Sequence, residues 1–577
     1  MIEYADNNCR TRAIAVLVGF CILMMLLRCG NSLADDHKSG RDGLSRAEEL
    51  KLGERIYRDG ILPSGEPVKA VVQGDIIFEG TQFCCSNCHM RGGLGANEGQ
   101  VKTPPANGKR LFQPAYSGGR AELSKAEWDK IPRQHRSAIL RPAYTDKSLA
   151  DLIRGGVDPT GRVLDPIMPR YQLDDRNMAI LIAYLKVLSS TPSPGVTDTT
   201  IRFATVIAGE VSPEDRDAML IPLESYITDR NNQAKPFESR RKNYGWGAEN
   251  MDLEFRRLTL SRWELKGPPE TWRAQLEEYY RKEPVFALLG GISYGSWKPV
   301  HEFSEDHRIP CILPIVDYPV ITESDWYTLY FSKGYYQEGE AVANYLADTM
   351  KSQPDRAVVQ IVQEGRAART TAEGFEKTWQ RLAMPAPVLR TIKPGEPISR
   401  EIVHQLGSYD KPPILLLFAG PETLPSLKSI FSDPKHPEMV VIFSSLMKQS
   451  IMELPASIRD LTYITYPYRL PQEEGQYSNF AKAWLYSRKA PINDHRISTR
   501  MYSLISLMAQ TFMHLRRNYY RDNLLDAISM FPDQVYPDYE RLSFGPGQVY
   551  ASKGCYIVQL SPGANPHLVK KSDWTIQ

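Results

Sequence analysis

The chain of 577 residues has little of what marks several large classes of protein. Its 70 Lys and Arg residues stand against 68 Asp and Glu, and the formal charge of +2 gives no reason to expect nucleic acid as a partner. The 42 prolines and 39 glycines are close to average usage, which excludes collagen-like and low-complexity chains. The sequence shows no internal repeat at solenoid or propeller periods. What is left is a globular protein long enough for several domains.

Cysteine is also scarce, and its positions are more informative than its number. The 8 cysteines form an N-terminal group, one cluster and two isolated positions: Cys9, Cys21 and Cys29; Cys84, Cys85 and Cys88; Cys311 and Cys555. This spacing is not that of a disulfide framework, so the cluster is the feature to explain. The two isolated cysteines either form one disulfide or are separate buried thiols.

The N-terminus has the pattern of an export signal. Arg10 and Arg12 precede the apolar run from Ala13 to Leu27, and a small-x-small sequence ends at Ala34. This pattern predicts a signal peptide over residues 1–34 and a mature protein in the periplasm. Two alternatives are an uncleaved segment that anchors the chain in the membrane, and lipidation at Cys29.

The cysteine cluster contains a cofactor motif. Residues 85–89 read Cys-Ser-Asn-Cys-His, the C-x-x-C-H signature of c-type haem attachment. Two thiols at this spacing reach the two vinyl groups of one porphyrin, and the next residue falls beneath the iron. We therefore predict one covalently bound haem c on Cys85 and Cys88, with His89 as an axial iron ligand. Cys84 is out of register and is interpreted as a spare buried thiol.

The second axial ligand is predicted further along the chain. Met168 lies between two prolines, directly before the apolar-periodic stretch Leu173 to Leu188, and is the expected sixth ligand. The alternatives are His135 and an open position. A backbone carbonyl from Pro104 or Pro105 is expected to bind the free ring nitrogen of His89.

These motifs together resemble a class I monohaem cytochrome c domain over residues 45–190. The resemblance rests on a first helix near residues 48–58, the C-x-x-C-H motif, the Met-Pro loop and a closing helix. It implies an all-α domain in which Gly53 lets the first helix approach the last. It also implies single-electron transfer through the haem to a redox partner protein, such as a periplasmic dehydrogenase.

A proline-containing linker, residues 191–199, separates this region from residues 200–577. In the second region short apolar runs alternate with longer amphipathic ones, which predicts an α/β domain of two lobes with parallel sheets. The predicted strands are Ile201–Ile207, Pro284–Leu289, Cys311–Val316, Ala357–Val362, Ile414–Phe418, Val440–Phe443 and Tyr556–Leu560. The predicted helices are Thr271–Arg281, Gly339–Met350, Ala372–Leu382, Asn479–Ser487 and Tyr502–His514.

The order of these elements resembles the type I periplasmic binding proteins of the branched-chain amino acid group. The resemblance rests on the strand that runs into Gly290 and Gly291 and on the closing stretch from Phe544 to Leu560. It implies a Rossmann-like pair of lobes with a ligand cleft at the carboxyl ends of the strands. Ser293, Tyr294 and Asp317 are the candidate cleft residues, for a small-molecule ligand or for docking of a redox partner.

The expected protein is thus multidomain: an all-α cytochrome c domain followed by an α/β, two-lobed periplasmic-binding-protein-like domain. Its expected function is that of an exported, non-enzymatic electron carrier coupled to a ligand- or partner-binding domain. The alternative is a serine hydrolase, because residues 291–295 read Gly-Ile-Ser-Tyr-Gly and follow a predicted strand. Under the hydrolase hypothesis Ser293 is the nucleophile, and the haem domain is an accessory to the hydrolase domain.

Overall fold

A computed structural model of the protein describes residues 43–576, except positions 75, 100, 118–121, 124–127, 130–132, 134–138, 242–255, 353–354, 493–494 and 546. The chain divides into two compact units, Met1–Thr191 and Pro192–Gln577. The predicted signal peptide, the alternative membrane anchor, the lipidation alternative at Cys29 and the alternative ligand His135 lie outside the described residues. Among the residues that are described, no helix is both long enough and apolar enough to cross a membrane.

The N-terminal unit contains five described helices and eight short strands. The helices are α1 Arg46–Asp59, α2 Cys85–His89, α3 Gly108–Leu111, α4 Asp146–Gly155 and α5 Asp175–Val187. The strands are β1 Lys69–Val72, β2 Ile76–Glu79, β3 Asn97–Glu98, β4 Val101–Lys102, β5 Ala115–Ser117, β6 Glu122–Leu123, β7 Ile139–Arg141 and β8 Arg170–Tyr171. They pair as three antiparallel sheets: β2-β1-β8, β3-β4 and β6-β5-β7.

This unit is built around the contact between its first and last helices. A Cβ atom placed on Gly53 of α1 would lie 2.5 Å from the backbone oxygen of Ile180 and 2.6 Å from Cβ of Tyr184, both in α5. Real Cβ atoms do not approach so closely, so only glycine permits this crossing, as predicted. Tyr57 and Tyr184 pack at the same contact with ring centroids 5.6 Å apart.

The prediction that this domain is all-α is wrong. Its helices are present, but the stretches between them form the three small sheets. The physical reason lies in runs such as residues 69–72 and 76–79, which are rich in Val and Ile and pair as a hairpin in the register Lys69↔Glu79 to Val72↔Ile76. The long stretch between His89 and Met168 gives the chain room for the other two sheets.

The first lobe of the C-terminal unit is a parallel sheet covered by helices. Its strands are β9 Thr200–Ala208, β10 Arg257–Leu265, β11 Ala287–Leu289, β12 Ile292–Ser293, β13 Cys311–Ile312, β14 Ile315–Val316 and β15 Thr328–Leu329. β9 pairs with β10, β11 and β12; β11 pairs with β13, β12 with β14, and β13 with β15, all in parallel. Before the chain enters the second lobe, the first lobe contributes the helices α6 Pro213–Arg241, α7 Trp272–Lys282 and α8 Lys298–Asp306.

The second lobe has the same architecture. Its strands are β16 Val358–Gln363, β17 Val388–Ile392, β18 Ile414–Phe418, β19 Met439–Phe443, β20 Thr462–Tyr466, β21 Gly554–Leu560, β22 Leu568–Lys570 and β23 Thr575–Ile576. The order is β17-β16-β18-β19-β20-β21-β22, with β23 also paired to β21; β16 to β20 are parallel and the last three are antiparallel. The remaining α-helices are α9 Tyr335–Met350, α10 Arg366–Arg381, α11 Arg400–Leu406, α12 Leu424–Ser432, α13 Ser444–Met447, α14 Pro471–Ser487, α15 Ile497–Leu515 and α16 Arg521–Ser529.

The central strands of both sheets are buried on both faces, which explains why their sequences are continuous apolar runs. In β18 all five residues are buried, and the same holds for β19. The predicted strands and helices of this region are found as elements with shifted bounds, except for the strand predicted over Cys311–Val316. That stretch forms two strands, β13 and β14, which pair with different neighbours in the sheet. β10 and the long helix α6 were not predicted, and they pack against each other at the edge of the first lobe.

Candidate functional site

The candidate cleft residues of the first lobe follow two neighbouring strands. Ser293 ends β12 and pairs with Val316, the last residue of β14. Tyr294 and Asp317 come directly after these two strands, so all three candidates lie at one edge of the sheet. In parallel sheets this edge, at the carboxyl ends of the strands, is where ligands bind.

Tyr294 takes part in a small polar cluster with two residues that the sequence did not indicate. Its hydroxyl donates a hydrogen bond of 2.7 Å to Oδ2 of Asp215, near the start of α6. Nδ1 of His495 lies 3.0 Å from the other carboxylate oxygen of Asp215. Burial alone would raise the pKa of Asp215, but hydrogen bonds from Ser212, Tyr294 and His495 outweigh it, and the pKa is lowered. Asp215 is therefore ionised and holds Tyr294 in place.

Asp317 differs from Asp215 because its carboxylate has no hydrogen-bond or ion-pair partner among the described residues. The side chain is half-buried, and burial raises its pKa. The positive charges of Arg500 and Lys448 oppose this rise. A half-buried carboxylate without a donor is available to a ligand.

The second lobe contributes a buried carboxylate to the same region. Glu338, in the first turn of α9, is 1% exposed and accepts hydrogen bonds from the hydroxyls of Thr465 and Ser444. Burial raises the pKa of Glu338, and hydrogen bonds, including those from Ser445, oppose this rise. Thr465 belongs to β20 and Ser444 follows β19, so Glu338 marks the carboxyl ends of the second sheet.

Aromatic and basic side chains near the carboxyl ends of the strands in the two lobes contact each other. The rings of Tyr318, which follows Asp317, and Tyr335, which begins α9, have centroids 5.3 Å apart. The guanidinium carbon of Arg366, at the start of α10, lies 3.8 Å from the centroid of the Tyr318 ring. Since Arg366 belongs to the second lobe and Tyr318 to the first, this cation–π contact joins the two lobes.

The serine-hydrolase alternative is not supported by the geometry around Ser293. The side chain is fully buried, and its Oγ accepts a hydrogen bond of 3.2 Å from the backbone nitrogen of Gly295. Within the described part of the chain no histidine is hydrogen-bonded to Ser293, and the nearby His495 is paired with Asp215. A serine nucleophile needs a base within hydrogen-bond reach. Ser293 therefore shapes the turn that presents Tyr294.

The predicted haem-attachment residues lie on the short helix α2 of the N-terminal unit. Nδ1 of His89 lies 2.8 Å from the backbone oxygen of Pro104. Because a carbonyl oxygen only accepts, Nδ1 carries the hydrogen and Nε2 carries the lone pair that an iron ligand needs. Cys85 and Met168 are partly buried against the same apolar core, while Cys88 is exposed.

The other cysteines have ordinary structural surroundings. Cys84 is 5% exposed, and its Sγ donates to Oδ1 of Asn87 at 3.1 Å, which fits the prediction of a spare buried thiol. Cys311 and Cys555 are both fully buried free thiols, so they are not bridged in this structure. Burial raises the pKa of both thiols, which makes them unreactive.

No protein-family model matches this sequence, and no curated protein matches it. Solved structures do match. A substrate-binding protein of an ABC transporter from Sphaerobacter thermophilus is 12% identical, covers 65% of this chain and 99% of its own, and has a TM-score of 0.46. A branched-chain amino acid ABC transporter protein from Thermus thermophilus with bound valine is 10% identical. It covers 66% of this chain and 97% of its own, and has a TM-score of 0.44. A solute-binding protein from R. palustris in complex with benzoate is 13% identical, with 65% and 99% covered and a TM-score of 0.41.

These neighbours are type I periplasmic binding proteins over about 66% of the chain, and they correct the predicted function. They are binding proteins of ABC transporters, not electron carriers. Among the described residues there is also no group of three or more His, Cys, Asp or Glu side chains that could hold a metal ion. The prediction of an electron carrier is therefore wrong, and electron transfer, a redox partner, haem, iron and metal binding find no support in these findings.

Proposed function

We propose that the C-terminal unit binds a small organic molecule in the cleft between its two lobes. The observation that carries this proposal is the unpartnered carboxylate of Asp317, which lies half-buried at the carboxyl ends of the first sheet. A hydrogen bond from a ligand to a charged group of this kind contributes about 1.5–3 kcal/mol. Valine and benzoate are bound in two of the neighbouring structures and serve as probes. The proposed location is the periplasm.

A ligand screen on the full chain tests this proposal. The thermal unfolding midpoint is measured with L-valine, benzoate, hexanoate and their amides, because a ligand present at 100 times its Kd stabilises the folded state by about 2.7 kcal/mol. We expect at least one probe to raise the midpoint. In the Asp317→Asn variant, the same rise should require at least a tenfold higher concentration of that probe. Asp198→Asn is the matched control, since Asp198 is exposed and precedes β9, at the amino end of the strand rather than its carboxyl end. An unchanged midpoint with every probe would contradict the proposal.

For the N-terminal unit we propose that Cys85 and Cys88 hold a haem covalently, with His89 and Met168 as the iron ligands. The support is the match of donor set and geometry: two thiols one helical turn apart, and a histidine whose Nε2 carries a lone pair. Each thiol would add across one vinyl group, so that a carbon–sulfur bond forms and the thiol hydrogen passes to the other vinyl carbon.

Exchange of the cysteines tests haem attachment. In cells that attach haem to exported proteins, the full chain should give a haem stain that survives denaturing electrophoresis. We expect the double variant Cys85→Ser, Cys88→Ser to lose the stain completely, because no thioether bond can form. Cys84→Ser should keep it, because Cys84 is out of register and bonds to Asn87. Met168→Ala should keep the stain but change the visible spectrum. A stain that survives in the double variant, or its absence from the natural chain, would contradict this proposal.

A further inference from the structure

Helix α14 packs one face against the core of the C-terminal unit and turns the other to solvent. On the inner face Ser478, Ala481 and Leu485 are at most 1% exposed. The outer face carries the two most exposed large hydrophobic side chains among the described residues, since Phe480 is 84% exposed and Tyr486 is 82% exposed. Apolar surface concentrated on one side of a helix marks a place where another molecule docks.

The residues around the two rings are small or neutral. One arc of the helix, opposite the inner face, carries the exposed residues Asn479, Phe480, Ala483, Tyr486 and Ser487. We name these five residues the outward stripe. Its centre is Ala483, whose side chain is a single methyl group, and none of the five residues is charged. The outward stripe therefore offers a partner two aromatic rings, a close approach to the helix backbone and neutral polar groups.

The charged side chains of α14 and of the residue that follows it are paired within the chain. The pairs are Glu473–Lys570, Glu474–Arg496, Lys482–Glu474 and Arg488–Asp229. A strongly charged partner would thus find no free opposite charge on the outward stripe. A second copy of the same chain meets it without repulsion between like charges, and interfaces between identical chains are the more apolar class.

The outward stripe also has the spacing that a copy of itself requires. Phe480 and Tyr486 each lie three residues from Ala483, about 4.5 Å along the helix axis in opposite directions. When two such helices pack antiparallel about a two-fold axis at Ala483, Phe480 of one copy is level with Tyr486 of the partner subunit. The four rings then flank the contact between the two alanines, where the helix backbones come close.

Charge at the helix ends favours the same antiparallel arrangement. Glu473 and Glu474 lie in the first turn of α14, and Arg488 and Lys489 follow its last residue. Antiparallel packing brings the acidic end of each helix towards the basic end of the other, and it also aligns the helix dipoles favourably.

The area of the rings bears on how strong the contact is. Four exposed aromatic side chains bury about 500–800 Å² in all. That is roughly a third to a half of the area of a standard interface, about 1,600 Å², so the rest has to come from the flanks of the outward stripe. A contact of this size corresponds to a weak dimer rather than to a permanent one.

We propose that the outward stripe of α14 is the two-fold interface of a homodimer, with Ala483 on the axis. This inference goes beyond the proposed binding function and does not depend on it. Each copy contributes the same surface, so the interface closes after two chains and leads to no larger assembly.

Sedimentation velocity of the full chain tests the proposal at concentrations of about 1–100 µM, where a weak dimer forms and dissociates. We expect the natural chain to pass from monomer to dimer over this range. The double variant Phe480→Ser, Tyr486→Ser should raise the Kd at least tenfold. Ala483→Glu should abolish the dimer, because it places two carboxylates against each other at the axis. Ala509→Glu is the matched control, since Ala509 is an exposed helical alanine of α15 outside the outward stripe.

Oxidative cross-linking gives a second measurement that removes neither ring. A residue on a two-fold axis meets its own copy, so Ala483→Cys should link two chains through a disulfide. Lys482→Cys is the control, because Lys482 is exposed but points about 100° away round the helix. The natural chain shows what its own cysteines contribute.

Three results would overturn the homodimer. The first is a monomer at every concentration, and the second is a dimer that Ala483→Glu and the double variant leave unchanged. The third is a monomeric Ala483→Cys variant whose new thiol does not react with a maleimide, because the outward stripe is then covered by the same chain. Circular dichroism checks that each variant folds, and a cross-link in Ala483→Cys alone supports the interface whatever the serine variants do.

Discussion

Arg521→Met should lower the free energy of unfolding of the C-terminal unit by about 4 kcal/mol, because several buried oxygens lose their donor together and each costs about 1–3 kcal/mol. Nε of Arg521 donates to the backbone oxygen of Phe286 at 3.1 Å, and Nη2 donates to that of Val285 at 2.6 Å. Nη1 donates to the backbone oxygen of His307 at 3.0 Å. The side chain of Arg521, at the start of α16, thus bonds to the residues just before β11 and to the turn after α8. Methionine fills a similar space but donates no hydrogen bond.

Urea denaturation of the full chain, followed by circular dichroism, measures this loss. Arg257→Met is the matched control, because Arg257 is exposed on β10 and its replacement should change the unfolding free energy by less than about 0.5 kcal/mol. Arg521→Lys should fall between the two, since an ammonium keeps the charge but cannot reach oxygens on so many sides. A loss for Arg521→Met no larger than that of the control would show that the buried oxygens find other donors.

Gly339→Ala should destabilise the second lobe by about 3 kcal/mol, at the upper end of what overpacking costs. A Cβ atom on Gly339 would lie 2.0 Å from the backbone oxygen of Thr371 and 2.6 Å from the backbone nitrogen of Phe375. On the facing helix, a Cβ atom on Gly374 would lie 2.1 Å from the backbone oxygen of Tyr336. Because the obstructing atoms are backbone, α9 and α10 would have to move apart as whole helices.

Gly475→Ala is a control for which the expected change in stability has the opposite sign. Gly475 lies in α14 and is exposed, and a Cβ atom on it would have no other described atom within 4 Å. Alanine in the interior of a helix is favoured over glycine by about 0.5–1 kcal/mol, so this variant should be slightly more stable than the natural chain. Both variants are compared by urea denaturation. Equal stability of Gly339→Ala and Gly475→Ala would mean that α9 and α10 separate at little cost.

The elements of the C-terminal unit could be predicted from the sequence because both faces of its parallel sheets are buried. Such strands are short apolar runs bounded by polar turns, and the strand predicted over residues 414–418 has the same bounds in the structure. Apolar runs of this kind did not reveal β10, whose residues are only partly buried, or the strands of the N-terminal unit. Strands of two to four residues are decided by what they pair with, and a partner far away in sequence leaves no local pattern.

Three residues of the candidate cleft could be predicted in the same way. Ser293, Tyr294 and Asp317 follow strands, and strand ends can be read from the sequence. Asp215, His495 and Arg500 could not be found, because they lie near helix starts that are distant in the chain and only folding brings them to the same strand edge. A polar residue beside an apolar helix start, such as Arg500 among Ile497, Met501 and Leu504, is the weak signal that was available.

The sequence by itself determined that this is a multidomain chain with an α/β C-terminal region, and it determined where the C-x-x-C-H motif lies. Those features depend on neighbours in the chain: apolar periodicity, turn residues and motif spacing. The tertiary structure alone decided that Ser293 is a buried turn residue with no histidine of the described residues hydrogen-bonded to it. It also decided that the half-buried carboxylate of Asp317 has no hydrogen-bond or ion-pair partner among those residues. The reason is physical, since burial and the distance between charges are set by packing among elements, and no local pattern encodes them.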